Sequence, residues 1–332
     1  MLPANSVGGH VSSPKNSSAA VSQDILYTGL PKWSTADMLE YAPTKLDSWL
    51  KKLLVDPLAK TELQHDASSE FLLSSYGRKY PIRRGIPDLR LLNNNVTHDQ
   101  KIWSDGQKDY EALTSVGPSE GQEYAIERAG VKPVYDEIPI IGRCLDVGGG
   151  IGTLRSFLTS TQEYVTCDPF LKVFENLEQR HKLVEVYPFL LDPVNFVCCD
   201  AEFLPFAEKS FDTVHMRSVI DHFLSPELAL NEAYRTLRED GVLVVGTFVR
   251  GGRSGHELLR QRFRNSVKTV LQFAGIERFR DHHTWHPTYD ELVALLGQCG
   301  FDVEKVHWQD RHQHTVCYVQ ARKRVGLRTR FR

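Results

Sequence analysis

Cys144-Leu145-Asp146-Val147-Gly148-Gly149-Gly150-Ile151-Gly152 decides how the rest of this chain is read. An apolar run ends in an acid, and glycines then recur at positions 148, 150 and 152. Without a Cβ, such a turn lets backbone approach a ligand closely. Further on, Tyr164-Val165-Thr166-Cys167 reads as a second strand that also ends in an acid, Asp168. Strand, glycine turn, helix start and a second strand ending in a carboxylate form the pattern of a βαβ nucleotide site, in which the acid serves ribose hydroxyls.

The spacing Gly148-x-Gly150-x-Gly152 departs from the dinucleotide fingerprint Gly-x-Gly-x-x-Gly. Asp146, beside the turn, would repel a pyrophosphate and suits a ligand that carries an ammonium group. The stretch resembles motif I of the class I S-adenosylmethionine (SAM) methyltransferases. Asn195-Phe196-Val197-Cys198-Cys199, followed by Asp200-Ala201-Glu202, resembles the family's third strand and its adenine-contacting end. Phe211–Met216 resembles the fourth strand and Leu237–Val245 the turn into the fifth. The resemblance covers residues 140–250 and implies an α/β fold, a doubly wound, seven-stranded Rossmann-like sheet whose final strand is antiparallel.

Elements further along follow local rules. Ser225-Pro226-Glu227 opens a helix with apolar face Leu228, Leu230, Ala233, Tyr234 and Leu237, stopped by Asp240-Gly241. Thr288-Tyr289-Asp290-Glu291 is a capping box whose helix closes at Gly300. Phe301–Trp308 and Thr315–Gln320 alternate as the last two strands.

With 332 residues, 41% of them hydrophobic, the chain can bury a large core and carry an additional module. A formal charge of −2 gives no whole-chain field toward nucleic acid or anionic membrane. No apolar run is long enough to span a bilayer. Residues 1–24 are Ser/Asn/Gly/Ala-rich, without an apolar signal core, and are expected to be disordered. Most of the six cysteines fall within apolar patterns, as buried thiols of a reducing compartment do, so a cytoplasmic protein is expected.

Residues 25–95 read as a small β-rich domain. Tyr76-Gly77-Arg78-Lys79-Tyr80-Pro81-Ile82-Arg83-Arg84-Gly85-Ile86-Pro87 resembles the closing run of the zinc-ribbon methyltransferase activators. The family's four thiol positions hold Asp56, Ala59, Leu73 and Tyr76, so the ribbon is expected without zinc, with Leu and Tyr packing in the metal's place. Residues 96–137, with Trp103, Tyr110 and Tyr124, form a helical connector, either a lid over the cofactor or a strap docked on the core. The methyltransferase-like domain then runs over 138–323, with a capping insertion at 253–287, and 324–332 is a basic tail.

The resemblance assigns cofactor contacts. Gly148, Gly149 and Gly150 would line the methionine portion, with Asp146 supporting its ammonium group directly or through water. Asp168 with Pro169 would meet the ribose, Asp200 and Ala201 the adenine, and Arg217 and Ser218 the cofactor at the end of the fourth strand. Simple turn chemistry after a strand is the competing reading for Asp168 and Asp200. On the acceptor side, His222 is a candidate base with Asp221 holding its tautomer. His283 and His286 in Asp281-His282-His283-Thr284-Trp285-His286-Pro287 are further candidates. That run lacks the i,i+4 helical geometry of a zinc-protease motif, so no metal is expected.

These readings imply a SAM-dependent methyltransferase acting at oxygen on a small molecule or glycan. Seven basic residues against two acids over 253–280 would favour an anionic acceptor if that face is functional. The absence of an Asn/Asp-Pro-Pro-Tyr run argues against methylating an exocyclic nucleobase amine. RNA is the alternative acceptor, because the activator family serves translation-factor and tRNA methylation. A non-catalytic partner protein of the same fold and self-association through the ribbon are further readings.

Overall fold

The computed structural model describes residues 44–66, 70–91, 104–106, 108, 121–159, 161–171, 188–255, 283–311 and 314–325. The N-terminal 24 residues, Trp103, Tyr110, the side chain of Tyr124, most of the 253–287 insertion, and the tail beyond 325 lie outside the described residues.

In chain order, β1 (Thr44–Lys45) and α1 (Ser48–Lys51) precede a hairpin-rich stretch of β2 (Leu63–His65), β3 (Phe71–Ser74), β4 (Lys79–Arg83) and β5 (Ile86–Pro87). Helix α2 (Gly121–Glu137) leads into β6 (Cys144–Val147), β7 (Tyr164–Asp168), β8 (Val194–Cys198) and β9 (Phe211–Arg217). Then come α3 (Pro226–Thr236), β10 (Leu237–Phe248), α4 (Tyr289–Gln298), β11 (Phe301–Arg311) and β12 (His314–Lys323). The main sheet has eight strands in the order β1-β8-β7-β6-β9-β10-β12-β11. Neighbours from β1 to β10 pair in parallel, and β12 runs antiparallel to both β10 and β11. The expected seven strands are all present, and β1 adds an eighth at the β8 edge. No described helix is long and apolar enough to cross a membrane.

Strand alternation divides the sheet between two apolar layers. Leu145, Val147, Val165, Cys167, Val214, Met216, Leu243 and Val245 face one layer, with Leu230 and Ala233 of α3 and Leu292 and Leu296 of α4. Cys144, Tyr164, Phe196, Cys198, Val244 and Tyr318 face the other, with Val131, Val134 and Tyr135 of α2. Asp146, Thr166 and His215 take this second side because parallel register sets Asp146 beside both of the others. All six cysteines are buried and free.

Several local expectations shift. After the glycine turn the chain forms a short 3-10 helix, Thr153–Phe157, in place of the expected α-helix. Helix α3 has its Ser225 cap and Pro226 as read, but it ends at Thr236. Asp240, at φ +61°, lies within bulged strand β10, whose register to β9 slips between Leu237 and Val242. Leu228 is exposed, and Ala229 takes its place on the buried face. The Thr288/Glu291 capping box forms as expected. Gly300, at φ +87°, follows α4, and a Cβ there would lie 2.8 Å from the Tyr234 ring. The basic tail begins later than expected: Arg324 bonds Asp302 and the Phe301 carbonyl, and Lys323 donates to the Leu237 carbonyl.

The N-terminal segment is bound to the main domain by continuous contacts. The expected small β-rich element is present as the four-stranded antiparallel sheet β2-β3-β4-β5. Leu50, Leu54, Leu72, Tyr80 and Leu89 nevertheless pack into the same apolar cluster as Leu204 and Phe206. Backbone bonds Val55 N to Pro205 O and Ala207 N to Leu53 O join the two, as does Lys60 to Glu232 at 2.5 Å. Tyr76 is 74% exposed, so it does not pack in a metal's place. That position is organised by Asp56, 1% exposed, which accepts from Leu58 N, Ala59 N and the Tyr80 hydroxyl. Burial opposes its charge, but those donors outweigh it and hold the carboxyl below its usual range.

Glu202 sits buried beneath the start of α3, accepting from Ser225 N at 3.1 Å. Burial, with a smaller contribution from Asp200, pushes its carboxyl up to about 7. The fold therefore prefers protonated Glu202. The stabilisation is complete below the unfolded value near 4.5 and is lost as pH rises to about 7. Its loss costs about 3 kcal/mol. Denaturant unfolding of wild type and Glu202→Gln should show this slope in the former and not in the latter; parallel profiles would refute the assignment.

Candidate active site

The site lies where strand order reverses around β6, the switch point at which doubly wound sheets bind ligands. Gly148 has φ +69°, and a Cβ there would lie 2.5 Å from Val219 Cγ1. A Cβ on Gly149 would lie 2.3 Å from Asp146 Oδ2 and 2.6 Å from Thr166 Oγ1. The turn is glycine because side chains of β6, β7 and the end of β9 rise against it. Ser218, a non-glycine residue at φ +54°, closes β9 opposite the turn, held by its N–H to Gly246 O. Such strained backbone persists only where its surroundings over-determine it.

A cleft of about 180 Å³ opens here, lined by Gly148, Gly149, Asp146, Arg217 and Ser218. Five of the predicted cofactor residues thus share one cavity, whereas Gly150, Asp168, Pro169, Asp200 and Ala201 do not line it. The cleft is smaller than the roughly 300–1,000 Å³ of small-molecule sites, so it suits one end of an extended ligand. Glu127, Val131 and Tyr135 of α2 complete the wall, so the connector helix covers the glycine turn.

Sequence reasoning missed the network beneath the cleft. Asp146 Oδ1 accepts from His215 Nδ1 at 2.7 Å, and Oδ2 accepts from the Tyr164 hydroxyl at 2.6 Å. With Nδ1 donating, His215 Nε2 accepts from the Tyr135 hydroxyl at 2.9 Å. Burial first, and the Asp146 charge second for Tyr164, hold both phenols far above their usual values, so they remain donors. Asp146 is therefore anchored on two sides as a fixed carboxylate. Arg217 is gripped between Glu127 Oε1 at 2.5 Å and the Tyr318 hydroxyl at 3.2 Å. Tyr318 can cross the sheet there because residue 246 is glycine; a Cβ would lie 2.5 Å from its ring.

The two further acids sit at the ends of β7 and β8. Asp168 accepts from Phe170 N at 3.1 Å, the turn chemistry weighed against ribose binding. Asp200 Oδ2 accepts from Leu91 N at 2.6 Å. Leu91 ends the N-terminal segment, which reaches this edge through Leu89 N to Cys198 O and Arg90 to Pro169 O. Arg90 is itself oriented by Asp88. The adenine side of the resemblance is thus walled by residues 88–91, a contribution no motif announced.

On the acceptor side, Asp221 and His222 lie in a 3-10 turn, Ile220–His222, directly after β9. His222 Nε2 is 3.9 Å from Asp221 Oδ1, too far for the tautomer-holding hydrogen bond the sequence reading expected. The structure instead brings His283 to the same carboxylate, with Nε2 3.7 Å from Oδ2. The His222 and His283 rings lie 4.3 Å apart at 31°, and His286 stands 5.4 Å beyond His283. His282 lies outside the described residues.

The family described as a methyltransferase domain matches residues 145–245. Arginine-hydroxylase NDUFAF5, mitochondrial, of Mus musculus is 27% identical over 241 residues, covering 69% of this chain and 63% of that protein. Demethylmenaquinone methyltransferase of Clavibacter sepedonicus is 31% identical over 196 residues, covering 57% of this chain and 75% of that protein. Malonyl-acyl-carrier-protein O-methyltransferase of Geobacter sulfurreducens is 27% identical over 226 residues, covering 67% and 77% respectively. The chain spans 63% or less of the NDUFAF5 proteins it matches. With the glycine turn and strand order in place, and with three quarters of a methyltransferase covered at this identity, the chain belongs to the class I SAM-dependent methyltransferase family.

Proposed function

We propose that the chain transfers the methyl group of SAM to a hydroxyl oxygen of a small-molecule or glycan acceptor. The reading is carried by one continuity: the side chain of Val219 packs at Gly148, and Asp221 follows two residues later. Donor turn and acceptor cluster therefore share the stretch 217–222. Family membership alone leaves the reaction open, since the relatives' names include a hydroxylase and methyltransferases at different atoms.

The residues present fit the cofactor. Gly148 and Gly149 provide backbone free of side chains at a cleft walled by fixed polar groups. Arg217 would hold the carboxylate of the methionine portion and Asp146 its ammonium group. Asp168 would accept ribose hydroxyls, and Asp200 with Ala201 would meet the adenine. When bound, SAM supplies an electrophilic methyl carbon on a sulfonium. The chain's part is to hold donor and acceptor in line, an effect worth on the order of 7–11 kcal/mol at best. Asp221, His222, His283 and His286 are groups able to take a proton from an acceptor hydroxyl, and this supports reading oxygen as the methylated atom over an already nucleophilic amine.

Turnover of SAM with metabolite pools, read by mass spectrometry and by the ¹³C shift of the transferred methyl, tests the reading. An O-methyl product from a small acceptor is expected; methylated RNA, a C-methyl product, or no turnover would overturn it. Asp168→Ala should weaken binding of S-adenosylhomocysteine by about 10–100-fold, as expected for losing hydrogen bonds to a charged group. Unchanged calorimetric affinity would return Asp168 to a turn role. Gly149→Ala should displace Asp146 at a cost of about 1–3 kcal/mol and lower cofactor affinity together with melting temperature. Retention of both would show that the turn yields.

A further inference from the structure

We propose that Asp221, His222 and His283 form a binding site for a divalent first-row transition cation of the zinc or ferrous class. The three residues come from two distant parts of the chain, yet one donor atom from each lies within 4.8 Å of the others. Two imidazoles and one carboxylate are a donor set that such cations accept, with positions left open for water or substrate.

The arrangement is built rather than incidental. Thr284 N and Trp285 N both donate to the Asp221 carbonyl, at 2.9 and 3.3 Å, and Thr284 Oγ1 donates to it at 3.2 Å. Thr284 Oγ1 also reaches the Phe223 carbonyl at 2.5 Å, and His222 N donates to Val219 O. The loop before α4 is thereby fastened to the turn after β9, which fixes His283 against Asp221.

The carboxylate itself points to a ligand. Asp221 is 8% exposed, and its Oδ1 is buried without a hydrogen-bond partner among the described residues. A buried carboxylate oxygen is costly unless something compensates its charge. The neighbouring imidazoles do not hydrogen-bond to it, at 3.9 Å from His222 and 3.7 Å from His283. A cation with bonds of about 2.0–2.2 Å would set its donor atoms roughly 3.0–3.5 Å apart. The two carboxylate gaps exceed that range by a few tenths of an ångström and no pair of donor atoms is wider than 4.8 Å, so rotation of the imidazoles and of the carboxylate has to draw the three atoms together when the cation binds. His283, with its side chain 36% exposed, leaves the site reachable from solvent.

The existence of the site is independent of the methyl-transfer reading; only its role rests on that reading. Beside the donor turn, the cation would bind the acceptor oxygen and ease loss of its proton to water. The oxygen lone pair then forms the O–CH₃ bond as the S–CH₃ bond breaks, and the sulfonium leaves as a neutral thioether.

The test uses the full chain, stripped with chelator and titrated with Co(II) by visible absorption and with Zn(II) by calorimetry. S-adenosylhomocysteine binding is measured in parallel. One equivalent of metal should bind, without thiolate charge-transfer bands. Asp221→Asn and His283→Gln should each weaken binding on the order of 10–100-fold. His65→Gln, in the N-terminal sheet, should leave it unchanged. Because His283 is partly exposed, His283→Gln should retain its melting temperature and its S-adenosylhomocysteine affinity, which excludes unfolding as the cause. Absence of saturable binding, or binding indifferent to both site variants, would overturn the metal site. Metal binding without any S-adenosylhomocysteine binding would overturn the methyl-transfer reading and leave the site standing.

Discussion

A single buried carboxylate, Asp146, ties the sheet to the ligand turn above it. Its two oxygens take hydrogen bonds from residues on different strands, His215 on β9 and Tyr164 on β7. A side chain on Gly149 would have to displace it, since a Cβ there would lie 2.3 Å from Asp146 Oδ2. Removing one of these donors leaves a buried charged acceptor short of a partner, at a cost on the order of 1–3 kcal/mol. The geometry of the cleft therefore descends from strand register. Because Asp146 stands beside His215 and Thr166, the polar face is assembled as soon as β6, β7 and β9 pair. Helix α2 closes over it with Tyr135, the last member of the chain of hydrogen bonds.

What could be read in the sequence was local. The strands β6, β7 and β8 announce themselves as short apolar runs with Asp146, Asp168 and Asp200 at or beside their ends, and the cap residues Ser225 and Thr288 mark helix starts within a turn. The glycine turn was legible because its spacing is contiguous. His215 was not, since a histidine inside an apolar strand acquires meaning only from the residue opposite it on another strand. The same holds for Asp221 and His283, whose meeting depends on a loop fastened by backbone bonds. The early end of α3 escaped because Leu237 suits helix and strand alike, and pairing with β9 and β12 outweighed the helical pattern.

The N-terminal segment contains the β sheet that its sequence led one to expect, yet its role in the fold is larger than that of a separate module. Its sheet is small and antiparallel, and the position that would hold a metal in the ribbon family is organised by Asp56 and Tyr80. Its ends do more than cap a module. β1 extends the main sheet, and residues 88–91 run along the tip of β8 to meet Asp200.

That run has a consequence for the smallest piece able to fold. The stretch matched by the methyltransferase family begins at residue 145 and ends at 245. Cut there, the protein would present β8 as a bare edge with its backbone groups open to another chain, the arrangement from which aggregation starts. It would also strip Leu204 and Phe206 of the neighbours that cover them. The autonomous unit is therefore larger than the stretch the family matches, and the residues ahead of it belong to its architecture as much as to its periphery.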